Sequence, residues 1–313
     1  MTRKDTKMVV LTTLMALLTF AVSVSAQSPR EALIVSPAWL AAHIKDANLV
    51  LLHVGDKAGY DAGHISGARF VTLADLSVSS PATGGLTLEM LPAATLRDKL
   101  ASFGISDGSR VVVYYATTQV TPATRVMLTL DYAGLGDRSS LLDGGMGAWT
   151  RDGRELTAVV PEPRTGTLAP LTIKPIVVDA AYVLANLKTP KMSVVDARLP
   201  PFYDGTQVGG GAQAPHKTGH IDGAKNVPWS DLVNEQQSFR NADELEARFT
   251  KAGVARGDTV IAYCHIGQQA TAAIFAARTL GYRVLLYDGS FEDWSRQTTA
   301  PVATSIKKVA QED

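Results

Sequence analysis

The chain presents the same ordered set of features twice, and this internal repeat restricts its fold more than any other property of the sequence. In the first half, Asn48-Leu49-Val50-Leu51-Leu52-His53-Val54-Gly55 is followed by Gly63-His64-Ile65-Ser66-Gly67-Ala68. In the second, Met192-Ser193-Val194-Val195-Asp196-Ala197-Arg198 precedes Gly219-His220-Ile221-Asp222-Gly223-Ala224. The run Gly108-Ser109-Arg110-Val111-Val112-Val113-Tyr114-Tyr115 matches Gly257-Asp258-Thr259-Val260-Ile261-Ala262-Tyr263-Cys264. Finally, Leu142-Asp143-Gly144-Gly145 with Trp149 matches Tyr287-Asp288-Gly289-Ser290 with Trp294. The offsets are 156, 149 and 145 residues in unchanged order, so small insertions and deletions account for the drift and two copies of one domain account for the rest.

Each copy alternates short apolar runs with helix-like segments. Val50–Val54, Val111–Tyr115 and Ser140–Leu142, with Val194–Ala197, Val260–Tyr263 and Val284–Tyr287, are too short for buried helices and read as inner strands. Pro37–Ile44, Ala93–Phe103, Pro122–Tyr132, Val178–Leu187, Ala242–Ala252 and Gln269–Leu280 suit helices. Near-continuous apolar strands separated by helices imply an α/β fold, with a small, mainly parallel sheet covered on both faces in each copy. The proline-rich Pro161-Glu162-Pro163 lies between the copies. The expected division is therefore a domain over 27–158, a linker over 159–172 and a domain over 173–313. Between Arg198 and Gly219 the second copy holds 13 more residues than the matching connection of the first, 21 steps against 8. No GxxxxGK[ST] pattern makes this glycine-rich insertion a phosphate loop, and a surface loop near the cleft is expected.

Residues 1–26 read as a signal peptide rather than as fold. Arg3, Lys4 and Lys7 precede an apolar run from Met8 to Val24, and Val24-Ser25-Ala26 fits cleavage before Gln27. The rival is an uncleaved membrane anchor, because 17 apolar residues reach the lower edge of spanning length. Cleavage predicts a periplasmic or secreted protein with no stable membrane association, and N-terminal sequencing of exported material would check it. The remaining chain would hold 27 basic and 29 acidic residues, 30 minus 3 and 30 minus 1, so no positive field argues for nucleic acid. The lone cysteine, Cys264, excludes an internal disulfide, a CxxC pair and a cysteine-rich metal site. The six histidines form no HExxH motif, and neither metal nor cofactor is expected.

Val260-Ile261-Ala262-Tyr263 runs into Cys264, and His265-Ile266-Gly267-Gln268-Gln269 then leads into an alanine-rich helical segment. In such a strand, loop and helix, successive backbone N–H groups can converge on an anion, reinforced by the positive end of the helix. They would favour a cysteine thiolate. A buried cysteine ending a strand is the plainer alternative. The first copy bears on that choice: Tyr115 stands at the equivalent place with the flanking pattern intact, so the fold itself does not require cysteine there.

The paired GHIxGA motifs, Asp196-Ala197-Arg198, the Cys264 loop and the two Asp-Gly turns followed by tryptophan resemble the tandem-domain rhodanese family. The likeness covers nearly all of the chain beyond Ala26. It implies two tandem rhodanese-like domains, a non-catalytic first copy and a second copy whose Cys264 carries sulfur as a persulfide. A lone thiolate in an N–H-lined cup suits attack on sulfane sulfur without metal or organic cofactor. The implied partners are a small sulfur-donor anion and a thiol or cyanide acceptor; from thiosulfate the leaving group would be sulfite. His265, Ile266, Gly267, Gln268 and Gln269 would form the substrate cup, and Arg198 would clamp the anion with Asp196 orienting it. By the same resemblance Trp39 is a cleft candidate, and His64 lies on the face matching the cleft wall, although its recurrence as His220 equally suits a turn-stabilising role.

Cysteine phosphatase chemistry needs an arginine six positions after the nucleophile, where this chain has Ala270. Within the resembling family, thiosulfate enzymes commonly place two basic residues after the cysteine and mercaptopyruvate enzymes place Gly-Ser-Gly, whereas here His265-Ile266-Gly267 follows. Mercaptopyruvate enzymes also carry a second arginine where Phe202 stands. The sequence therefore favours a thiosulfate sulfurtransferase, with 3-mercaptopyruvate transfer or a non-enzymatic persulfide carrier as alternatives. His265 and Lys217 are the candidates to replace the missing loop charges.

Overall fold

The computed structural model describes residues 28–211 and 214–305, so the expected signal peptide lies outside the described residues. Two five-stranded, fully parallel sheets organise the chain. The first copy contributes β1 (Ile34–Val35), β2 (Leu49–Val54), β3 (Arg69–Val71), β6 (Arg110–Tyr115) and β7 (Ser139–Leu142) in the order β1-β7-β6-β2-β3. Between them, β4 (Ser77–Val78) and β5 (Glu89–Met90) form an antiparallel hairpin. The second copy repeats the order as β8-β15-β14-β9-β13, from β8 (Val177–Val178), β9 (Met192–Asp196), β13 (Lys225–Asn226), β14 (Thr259–Tyr263) and β15 (Arg283–Tyr287). The insertion after Arg198 forms a short helix, Pro200–Asp204, and a hairpin of β10 (Gly210–Gly211) and β11 (Ala214–Pro215). Finally, β12 (His220–Ile221) pairs with β16 (Val302–Ala303).

The strand side chains alternate between two environments, as the two-residue period requires. Along β6, Val111 and Val113 face a central core while Val112 and Tyr114 face an outer one. In β14, Val260 and Ala262 face the central core while Ile261 and Tyr263 face outward. Between the sheets lie two helices, Thr121–Tyr132 and Ala270–Thr279, buried at ten of twelve and nine of ten positions. A helix buried on nearly all sides has no solvent face to offer, so these two pack together in one core contributed by both copies. Thr124 Oγ1 and Thr271 Oγ1 meet at 2.7 Å across this interface.

One expected helix needs correction. Val178 does not open the Val178–Leu187 helix but belongs to β8, pairing in parallel with Tyr287. The helix starts at Ala180 because the Asp179 side chain caps it, accepting the Tyr182 N–H at 2.8 Å. None of the described helices is long and apolar enough to cross a membrane.

Candidate active site

Cys264 stands at the C-terminal end of β14, fully buried, with the Ala270 helix beginning six residues later. Its N–H donates to Ser290 Oγ at 3.2 Å, and its carbonyl accepts the Phe291 N–H at 3.0 Å. Ahead of the helix, the backbone N–H groups from His265 to Ala270 find no acceptor among the described residues. Six consecutive free donors beside a helix N-terminus make a receptor for negative charge.

Arg198 is also buried, at 1% exposure. Nε and Nη2 grip Asp196, with Nη2 2.6 Å from Oδ2, and Nη2 also donates to the Gly219 carbonyl at 2.8 Å. Phe291 supports the guanidinium, 4.0 Å from its ring centre. Burial opposes the arginine's charge, but Asp196, Tyr263 and Cys264 hold its pKa above the usual value. Asp196 also accepts the Tyr263 hydroxyl at 2.7 Å, and that hydroxyl accepts the Ile221 N–H at 3.1 Å. Thus Arg198 and Asp196 act as one unit locked to the GHIxGA turn.

Beside the loop opens a cavity of about 520 Å³, lined by His265 and Ile266, by His216 and the β10–β11 hairpin, and by Pro81 and Thr87 of the first copy. His265, a candidate to replace the missing loop charge, does not supply it. Burial, then Arg198 and His216, push its pKa down to about 4, leaving the imidazole neutral near neutrality. His216 is lowered too, by burial and then Arg198. Lys217 also fails as a substitute cation, because its ammonium is spent on the carbonyls of Gln297 and Ala300.

The other candidates separate from this cluster. Trp39 stacks on His43 and lies 4.2 Å from Arg110, which starts β6, so it belongs at the strand ends opposite the cysteine. The His64 ring nitrogens face backbone carbonyls, Nδ1 that of Tyr60 at 2.8 Å and Nε2 that of Val159 at 3.2 Å. His220 likewise binds the Tyr203 carbonyl and stacks on Tyr203, as His64 stacks on Tyr60. Within the loop, Gln268 Nε2 donates to Thr121 Oγ1 and the Gln269 Oε1 atom is buried without a partner among the described residues.

Sequence reasoning missed the contributions across the domain boundary. Thr87 N–H donates to Glu292 at 3.0 Å and Met90 N–H to Asp288 at 3.1 Å, laying the β4–β5 hairpin over the cysteine side. The mirror contacts close the first copy: Phe239 N–H donates to Asp143, and Tyr115 Oη to the Gln237 carbonyl at 2.8 Å. Gln237 Oε1 further accepts the Val120 N–H, plugging the first copy's own loop. The matching left-handed residues Leu88 and Gln237, φ 61° and 62°, are the signal that these crossing segments are equivalent.

A family model for the rhodanese-like domain matches residues 36–152 and 179–297. The thiosulfate sulfurtransferase of Azotobacter vinelandii is 28% identical, over 86% of this chain and 96% of its own. The sulfur carrier protein TtuD of Thermus thermophilus is 31% identical over the same shares. A probable 3-mercaptopyruvate sulfurtransferase of Pseudomonas aeruginosa reaches 32%, over 78% of this chain and 86% of its own. Among solved structures, SseA from Escherichia coli, described as a 3-mercaptopyruvate sulfotransferase, has a TM-score of 0.71 at 29% identity, covering 82% of this chain and 98% of that one. The two matched copies account for most of the chain, and the protein belongs to the rhodanese family, among its two-copy sulfurtransferases.

Proposed function

We propose that Cys264 takes sulfane sulfur from a small anionic donor, thiosulfate first, and passes it to a thiol or cyanide. The Cys264 thiolate attacks the outer sulfur of thiosulfate; the sulfur–sulfur bond breaks and its electron pair leaves with sulfite. The persulfide's terminal sulfur then sits among the loop amides until cyanide removes it as thiocyanate, or a thiol as a new persulfide, restoring the thiolate. The observation that carries this reading is the run of six N–H groups, without an acceptor among the described residues, after a buried cysteine, with Arg198 beside it. Thiosulfate should add one sulfur atom to the Cys264 peptide by mass spectrometry, and cyanide should remove it. Unreduced turnover in Cys264→Ser would refute the mechanism.

A second reading has its own support. Burial lowers the pKa of His265 to about 4 and lowers that of His216 as well, Arg198 is matched by Asp196 and Arg296 by Glu292, so little net charge faces a dianion. That balance suits a low-charge organic persulfide passed through a carrier, in keeping with the carrier named among the relatives. Phe202, 4.6 Å from the His265 ring, offers no second cation for the carboxylate of 3-mercaptopyruvate. Loading rates from the three donors at equal concentration decide between them.

A further inference from the structure

The cysteine loop is held from outside its own domain. Arg125, 2% exposed, projects from the first-copy helix Thr121–Tyr132. Its Nη1 donates to the Gly267 carbonyl at 3.0 Å and to Asp288 Oδ1 at 2.6 Å, while Nη2 donates to the Leu88 carbonyl. Gly267 is left-handed at φ +79°, and a Cβ there would lie 2.7 Å from the Asp288 carbonyl oxygen and 3.1 Å from Arg125 Nη1. The backbone is thus tightly fixed at this point.

A trans peptide points its carbonyl and the following N–H in opposite directions. With the Gly267 carbonyl drawn to Arg125, the Gln268 N–H must face the other side, where no described residue accepts it. Turned over, the same peptide would aim a carbonyl lone pair at an anion instead of a proton. The repeat offers an internal comparison. At the offset of 149 residues Arg125 corresponds to Ile274, so the second copy sends no arginine back to the loop that follows Tyr115.

Building on the reading of Cys264 as the sulfur carrier, we propose that Arg125 is a positioning residue, contributed by the first copy, that turns the Gln268 N–H into the anion cradle of Cys264. A guanidinium fork reaches acceptors from three chain segments at once, which the single ammonium of lysine cannot do in the same geometry. The copy without a nucleophile thereby shapes the site of the copy that has one.

Parent, Arg125→Lys and Arg278→Met proteins are loaded with inorganic polysulfide, and loss of the added sulfur from the Cys264 peptide is followed by mass spectrometry. In Arg125→Lys the lifetime should fall roughly tenfold or more, the factor for one lost hydrogen bond to a charged group. Arg278 pairs with Asp131 at 3.1 Å, across the same interface but in the last turn of the Ala270 helix. Arg278→Met should therefore lower the melting temperature and leave the lifetime within about twofold. Equal lifetimes in folded Arg125→Lys and parent would overturn the proposal. Where Arg125→Lys does not fold, Asp288→Asn tests the same grip, with a shortened lifetime expected and an unchanged one overturning it. A parent that takes sulfur from polysulfide but not from thiosulfate counts against the proposed donor and leaves this role to the lifetimes. A parent Cys264 that holds no sulfur at all sinks both.

Discussion

The first copy shows how this fold manages without the buried Asp196–Arg198 pair, and that makes a quantitative test. Strand register sets His53 opposite Tyr114 as it sets Asp196 opposite Tyr263. His53 Nδ1 meets the Tyr114 hydroxyl at 2.8 Å, and Gly55 stands where Arg198 stands. Arg198→Gly alone would strand a fully buried carboxylate. Breaking one side of such a pair costs about 3–5 kcal/mol. The Tyr263 hydroxyl and the residue 198 N–H would still donate to Asp196, so the lower end, about 3 kcal/mol, is expected. In the double variant Asp196→His/Arg198→Gly the charge is gone and Tyr263 gains an imidazole partner. The glycine is required, since a Cβ at Gly55 would lie 2.6 Å from His53 Nε2. The double variant should recover about 2 kcal/mol of the loss, the cost of a buried charged group left without its partner. At about 2–4 °C per kcal/mol, the single variant melts about 6–12 °C below parent and the double within about 4 °C. Urea denaturation checks the same order, and neither variant should load sulfur from thiosulfate. A double variant no more stable than Arg198→Gly would refute the equivalence of the two sites, and normal loading by either would remove Arg198 from the donor site.

Acid should weaken the fold before it reaches the usual carboxylate range. Burial pushes the pKa of His53 to about 4, as it does for His265, so between pH 6.5 and 4 the unfolded chain takes up protons that the folded one refuses. Stability present above pH 6.5 is therefore lost as pH falls, by at most about 1.4 kcal/mol per pH unit for each histidine. Asp143, raised by burial, works in the opposite sense. The urea midpoint should drop between pH 7 and 5, and His53→Gln should flatten the drop; an equally steep profile in that variant would show that His53 is not its source. Gly209 touches the imidazoles: a Cβ there would lie 2.5 Å from His265 Nδ1 and 3.2 Å from His216 Nδ1. Gly209→Ala should swing His265 into the cavity and raise KM severalfold for a bulky thiol acceptor but little for cyanide, and equal changes for both would count against that picture.

The inner strands, the parallel character of the sheets and the placement of Cys264 at a strand end were legible because each rests on local pattern. Strands such as Val260–Tyr263 are apolar on both faces, and the repeat let one copy check the other. The edge strands were not legible, because β8 and β13 have two residues each and their pairing partners are supplied by distant parts of the chain. The charge of the loop was not legible for a related reason. His265 and Lys217 look basic in sequence, but burial neutralises the first and two carbonyls occupy the second. Arg125 left no local signal, since its three acceptors at Leu88, Gly267 and Asp288 come together only when the copies pack.

The pairing of the two central helices also fixes a timetable. Thr121–Tyr132 emerges from synthesis with Arg125, Thr124 and its apolar faces lacking their partners, which lie about 150 residues downstream. At roughly 5–20 residues per second, that surface waits on the order of ten to thirty seconds for its complement. During this interval the first copy is a half-finished interface, prone to join its counterpart on another chain. A hydrophilic substitution on the waiting helix would be felt first as poor yield of folded protein.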